Sequence, residues 1–326
     1  MRVAILGAGA WGSALAVSLS AEHSVALWTR GREDCEALAA TRRSRYLPDI
    51  DIGASVAIEA DLARAIEGRD VVIVATSTAG LRETALAVAA ITPAPALLWA
   101  CKGFEAKSGE LPHQVVAQAL PKARQVAALS GPSFALEVAR GQPTAVVLAS
   151  QDASFAARTA AALNSARMRV YSNDDLVGVE LGGALKNVIA IAAGISDGLA
   201  LGRNARAALV TRGLAELSRL GVAMGGHPET FNGLAGLGDL VLTCTGNLSR
   251  NREVGVRLAQ GKSLEQVLAE LGHVAEGVHS ARAASAHARA CKVEMPITEA
   301  VCAVLFEGRP AQDAVRQLLM RDPRRE

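Results

Sequence analysis

The sequence predicts an α/β protein: an N-terminal Rossmann-type doubly wound sheet followed by an all-α C-terminal domain. Three observations carry that expectation. A glycine-rich turn, Gly7-Ala8-Gly9-Ala10-Trp11-Gly12, follows a short apolar run and opens a helical stretch. Apolar, β-rich runs then alternate with alanine-rich helical text as far as residue 173. Beyond Leu176 the strand signal stops, and Ala/Leu-rich helical text with glycine breaks runs to the end. The 326 residues suffice for two domains. The expected division is a dinucleotide-binding domain over 1–174 and an all-helical substrate and catalytic domain over 175–326.

Composition narrows the function classes. Half the residues are hydrophobic and 20% are charged, enough to bury a core and too apolar for general disorder. A formal charge of +2 gives no support to a nucleic-acid or anionic-membrane partner. The five cysteines (Cys35, Cys101, Cys244, Cys291 and Cys302) form no CxxC pair and no Cys/His metal spacing. That pattern predicts reduced thiols, a cytoplasmic protein and no metal site. Cys101 and Cys244 lie beside motifs described below, but a nucleophilic cysteine needs a matching histidine and acid. The uncharged run from Val3 to Ala21 could be mistaken for a signal or anchor. Gly7, Gly9 and Gly12 break it where an apolar helix must be continuous, so a strand, a turn and a helix are expected, without membrane insertion.

The elements follow in order. Val3 to Leu6 reads as the first strand. In the turn after it, Gly7 permits the tight bend, Gly9 lets a pyrophosphate approach the backbone, and Gly12 lets the helix pack on the strand. The helix N-terminus offers free N–H groups to phosphates. An ordinary glycine-rich turn would carry the same spacing, so context decides. The second strand, Ser24 to about Trp28, ends in Thr29-Arg30-Gly31-Arg32, where an NAD-specific site would place Asp or Glu. Guanidiniums suit a 2′-phosphate, so NADPH is the expected cofactor and NADH the second, with Arg30 the main contact and Arg32 beside it. As solvated loop residues the two arginines would need no partner. Further strands are read in 70–76, 96–103, 125–133, 144–150 and 168–173. Ligands bind beyond the C-terminal strand ends of such sheets, where Lys102-Gly103 and Gly131-Pro132-Ser133-Phe134-Ala135 fall.

The second half holds one conspicuous residue. Lys186 is one of only six lysines against 28 arginines, and it sits in the apolar stretch VELGGALKNVIAIAAGISDG. Either its stem snorkels along apolar neighbours or it is a proton donor facing a ligand. Gly182 and Gly183, on its helical face, would let the helix approach a neighbour or a ligand while Lys186 and Asn187 project polar groups. Asp239 lies among glycines and aliphatic residues, where an unpaired carboxylate is costly. Ser249-Arg250-Asn251 is a compact donor set suited to a phosphate monoester.

GAGAWG, the lysine of WACKG, GPSFA, LGGALKNVIAIAAG, AGLGDLVLTC, SRN, VAEG and VEMPITEA occur in that order over nearly the whole chain. With these segments the sequence closely resembles the bacterial NAD(P)H-dependent sn-glycerol-3-phosphate dehydrogenases. The resemblance implies reduction of dihydroxyacetone phosphate to sn-glycerol 3-phosphate for phospholipid synthesis. It implies Lys186 as the acid/base and Lys102 as a contact to both substrate and cofactor. Gly131, Ser133, Asp239, Ser249, Arg250 and Asn251 would line the substrate site, Asp239 also orienting the amine, and Asn187, beside Lys186, is a further expected substrate contact. Trp11, Arg30, Ala135, Arg250, Val274 and Glu276 would contact the cofactor, with Gly7, Gly9, Ala10 and Gly12 of the turn. The chemistry agrees, because ketone reduction builds negative charge on oxygen that an ammonium stabilises and then protonates. Apolar C-terminal helices make a homodimer an expectation. The rivals are a related dehydrogenase of a hydroxy or sugar acid and a non-catalytic NADPH sensor.

Overall fold

The computed structural model describes residues 1–92, 94–271 and 275–320. The chain separates into two compact units. The first comprises 1–105 and 110–176, and the second 106–109 and 177–326. The short excursion 106–109 was not expected from sequence.

The first unit is built on an eight-stranded sheet: β1 Arg2–Leu6, β2 Ser24–Trp28, β3 Ala57–Glu59, β4 Val71–Val74, β5 Leu97–Trp99, β6 Val126–Ser130, β7 Thr144–Ala149 and β8 Met168–Asn173. Between them lie α1 Ala10–Leu19, α2 Arg32–Thr41, α3 Leu62–Ile66, α4 Thr78–Ile91, α5 Pro112–Ala119, α6 Ala135–Ala139 and α7 Ala153–Leu163. The strand order is β3-β2-β1-β4-β5-β6-β7-β8. Val71 to Val74 are buried throughout, as a strand covered on both faces requires. The order reverses beside β1, so the glycine turn sits at the switch point where doubly wound sheets bind ligands.

Two features depart from the sequence reading. The three-residue edge strand β3 was not anticipated, since its residues form no apolar run. β7 pairs antiparallel with β6 and parallel with β8, so the last two strands run against the other six. The link from β6 to β7 places its one short helix, α6, against α1. On the outer strand β8, Met168 and Val170 turn inward while Arg169 and Tyr171 face out, the period-two pattern of a half-covered strand.

The second unit is helical: α8 Leu176–Gly198, α9 Arg203–Ala223, α10 Pro228–Phe231, a π-turn Leu234–Gly238, α11 Asp239–Thr245, α12 Arg250–Ala259, α13 Leu264–Leu271, α14 Glu276–Ala290, α15 Pro296–Phe306 and α16 Ala311–Leu319. α8 is long and apolar enough to cross a membrane, but 89% of its most apolar window is buried in protein. It is the unit's core helix, and its glycines set how closely others approach. A β-carbon at Gly182 would stand 2.3 Å from the Ala235 carbonyl oxygen, and one at Gly194 would stand 1.9 Å from that of Arg252. The glycine-bearing faces of α8 thus receive neighbouring backbone.

Glu216 on α9 is a buried carboxylate that sequence inspection passed over. It accepts hydrogen bonds from Ile297 N at 2.7 Å, Thr298 N at 3.2 Å and Thr298 Oγ1 at 3.3 Å, tying α9 to the first turn of α15. Burial pushes its carboxyl up from an ordinary 4.5 to about 7, against the pull of those donors. Between these values the native state binds more protons than the unfolded chain, so stability falls as pH rises through the window. The full effect is ~3 kcal/mol. Wild-type protein should therefore lose several degrees of Tm relative to Glu216→Gln between about pH 5 and pH 8.5. A difference in Tm that stays constant or moves the other way would remove Glu216 as the titrating group.

Candidate active site

In the first unit the glycine turn has the features that phosphate approach requires. Gly7 has φ +117°, and its N–H is bonded to the Trp28 carbonyl at 2.9 Å. A side chain there would be strained and would crowd the Ala75 backbone at 3.1 Å. At Gly12 a β-carbon would stand 1.9 Å from the Gly7 carbonyl oxygen, so only glycine allows α1 to start this close to the strand. At Gly9, which caps α1, an added β-carbon meets nothing within 4 Å. Open space over the N-terminal N–H groups of a ten-residue helix suits a dinucleotide pyrophosphate. Ala10 and Trp11, on the first turn of α1, pack in one apolar cluster with Ala135. The fold thereby joins sequence-selected residues from two distant motifs.

The other first-unit residues fall into two groups. Lys102, just beyond β5, donates from Nζ to the Gly131 carbonyl at 2.9 Å, and Ser133 Oγ donates to the same oxygen at 2.9 Å. Gly131 itself has φ +116°. Lys102, Gly131 and Ser133 are thus one constellation on the strand-end edge. Arg30 stands exposed after β2, as expected, but it is held by Glu83 of α4 at 2.8 Å. Arg32 pairs with Glu36 within α2 at 2.9 Å. Such exposed pairs contribute about 0–1 kcal/mol, so a phosphate dianion can compete with Glu83 for Arg30.

In the second unit Lys186 of α8 and Asp239 of α11 form a direct ion pair between Nζ and Oδ1. Their side chains are 8% and 1% exposed, which excludes the snorkelling alternative for Lys186. Thr243, one turn after Asp239, donates to the Asp239 carbonyl at 2.6 Å and lies 3.5 Å from its Oδ1. Thr243 was missed in the sequence, where its only signal is the four-residue spacing from Asp239. Beside the ion pair runs a relay of amides. Asn251 Nδ2 donates to Asn187 Oδ1 at 2.9 Å, Asn187 Nδ2 donates to the Gly183 carbonyl at 3.3 Å, and Asn251 Oδ1 accepts from Gly277 N at 3.0 Å.

The expected phosphate set also serves the local fold. Ser249 is the N-cap of α12, its Oγ accepting from Arg252 N at 3.2 Å. A serine immediately before a helix is recruited by the free N–H groups there. Asn251 is likewise engaged in holding α8 and α14, so Arg250 is the exposed member of the three. Glu276 is the first residue of α14. Val274 lies outside the described residues. Cys244 is buried, and burial pushes its thiol up to about 12, leaving no thiolate to act as a nucleophile near neutral pH.

A doubly wound sheet with a glycine turn at its switch point, with a helical unit holding a buried lysine–carboxylate pair, defines a dinucleotide-dependent dehydrogenase of two units. The NAD-dependent glycerol-3-phosphate dehydrogenase N-terminus model matches residues 2–156, and the corresponding C-terminus model matches residues 175–316. The chain belongs to this family. It is 55% identical to a glycerol-3-phosphate dehydrogenase (NAD(P)+) of Thiobacillus denitrificans, with all of both chains covered. It is also 55% identical to one of Dechloromonas aromatica, covering all of this chain and 99% of the other. The crystal structure of glycerol-3-phosphate dehydrogenase from Coxiella burnetii superposes with a TM-score of 0.93 at 42% identity, covering 98% of this chain and 99% of that one.

Proposed function

We propose that Lys186 is the acid/base through which this chain reduces dihydroxyacetone phosphate, reversibly, to sn-glycerol 3-phosphate for glycerophospholipid synthesis. The observation that carries the assignment is the buried Lys186–Asp239 pair. The nicotinamide of NAD(P)H supplies the hydride when bound. As the C2 carbonyl gains charge, the Lys186 ammonium stabilises the developing alkoxide and donates a proton from Nζ. Asp239 orients the amine and favours its charged form. Arg250, with Asn251, Asn187 and Ser249, recognises the phosphate and hydroxyls, and Lys102, Gly131 and Ser133 complete the substrate contacts. Gly7, Gly9, Ala10, Trp11, Gly12 and Ala135 hold the dinucleotide, with Lys102 also touching it, and Arg250, Val274 and Glu276 are further assigned contacts. We assign dinucleotide binding to 1–174 and catalysis to 175–326. The cytoplasm is the proposed location, supported by five free cysteines. A homodimer is supported by the exposed apolar side chains Leu201, Leu319 and Met320, and sedimentation equilibrium tests it.

The test is to follow the near-ultraviolet absorbance of NADPH, and in parallel NADH, with purified protein and dihydroxyacetone phosphate. Substrate-dependent loss establishes the reaction. Faster loss with the oxo acids that hydroxy-acid dehydrogenases reduce, or cofactor binding without turnover, would sink it. For cofactor choice, Arg30→Asp should weaken NADPH binding by roughly 10–100-fold, the worth of a charged hydrogen bond. NADH should change by less than about threefold. Equal losses for both cofactors would remove Arg30 as the 2′-phosphate contact.

A further inference from the structure

Asp197, in the last turn of α8, is shared by two guanidiniums. Arg252 of α12 reaches its Oδ2 from both Nε and Nη2 at 2.7 Å. Arg206 of α9 reaches its two oxygens from Nη1 at 3.2 and 3.1 Å. The side chains are only 17% exposed for Asp197, 18% for Arg252 and 26% for Arg206, so this is a built junction of three helices. Where α12 meets α8 the contact is glycine against backbone. A β-carbon at Gly255 would stand 2.0 Å from the Ile191 carbonyl oxygen, the counterpart of Gly194 against Arg252. Such contact fixes the separation of the helices, and Val254 and Leu258 of α12 share an apolar cluster with Ile191 and Ile195 of α8. The polar contacts of the first turn of α12 add a directional restraint that apolar packing lacks. Asn251 bonds Asn187 and its neighbour Arg252 bonds Asp197. The two partners on α8 are ten residues apart (197 − 187), about 15 Å by helical rise. Adjacent residues of α12 are thus pulled toward the middle and the last turn of α8, and one orientation of the turn satisfies both.

We propose that Asp197 is a positioning residue for phosphate recognition: by holding Arg252 it fixes the turn that presents Arg250 and Asn251. This rests on the reading of that turn as the phosphate site. Asp197 itself touches neither substrate nor cofactor. Losing the clamp lets the turn rotate, which weakens the phosphate contact and leaves the Lys186–Asp239 pair and the glycine turn unaltered.

The test compares wild type, Asp197→Asn and Asp197→Glu on dihydroxyacetone phosphate and on dihydroxyacetone, which lacks the phosphate, with NADPH binding measured separately. Asp197→Asn should raise KM for the phosphorylated substrate about tenfold, the scale of one charged hydrogen bond, with kcat within about twofold. Its kcat/KM on dihydroxyacetone and its NADPH affinity, to which this turn contributes one contact among many, should each change by less than about threefold, and Asp197→Glu should recover most of the loss. Equal losses on both substrates, or none on the phosphorylated one, would overturn the proposal. Should Asp197→Asn not fold, Arg252→Lys keeps the charge and removes the two-pronged contact, and the same two outcomes decide. A wild type that shows no preference for the phosphorylated substrate would instead overturn the phosphate reading, and this proposal with it.

Discussion

Lys186→Ala should lower turnover of dihydroxyacetone phosphate by at least about 10³-fold while leaving NADPH affinity within about threefold. General-acid proton transfer contributes roughly 10²–10⁴, and charge stabilisation at a developing alkoxide contributes roughly another 10²–10³. The lower bound is chosen because the two contributions come from one group and are not additive. NADPH affinity is expected to persist because the glycine turn and Arg30 belong to the first unit, while Lys186 belongs to the second. The checks are kcat in the steady state and a direct titration of cofactor. Turnover within tenfold of wild type would take the acid/base role away from Lys186, whatever its pairing.

Much of this arrangement was legible before any coordinates. The glycine turn announced itself because each of its glycines answers a local steric demand: Gly7 for its φ, Gly12 for the 1.9 Å approach to the Gly7 carbonyl. Strand positions were legible for the same reason, since a buried parallel strand must be a nearly unbroken apolar run. Lys186 and Asp239 each stood out because a charge among apolar neighbours needs a partner, and the fold brings the two together.

What was not legible depends on partners distant in sequence or on direction. The reversal of β7 and β8 leaves no mark within the strands, because an apolar run reads the same in either sense. Asp197, Arg206 and Arg252 look like ordinary charges in helical text, and only the packing of α8, α9 and α12 brings them together. Glu216 was invisible for the same reason, its donors being 81 and 82 residues away. Ser249 was read only as a ligand donor, and its role as the cap of α12 depends on where that helix starts. Local chemistry thus wrote the glycine turn plainly and made Lys186 conspicuous. The parts that hold them in place had to come from the fold.

The Lys186–Asp239 pair makes the sharpest separation between stability and catalysis. Asp239→Leu alone should destabilise the second unit by about 3–5 kcal/mol, because it takes away the buried ammonium's direct counter-charge. On a unit of this size that corresponds to a fall in Tm of roughly 6–20 °C. Adding Lys186→Met removes the buried ammonium and fills the space with a flexible apolar chain. The double variant should therefore return to within about 2 kcal/mol of wild type, since well-packed apolar residues often replace a buried pair without loss. It should nonetheless be as inactive as Lys186→Ala. Chemical denaturation of the four proteins of this cycle measures the coupling directly, with an expected interaction energy of about 3 kcal/mol. If the double variant is as unstable as the sum of the single ones, the two residues contribute to stability independently and the expected coupling fails. If stability returns and turnover does not, two buried charges that the fold does not need are retained for proton transfer.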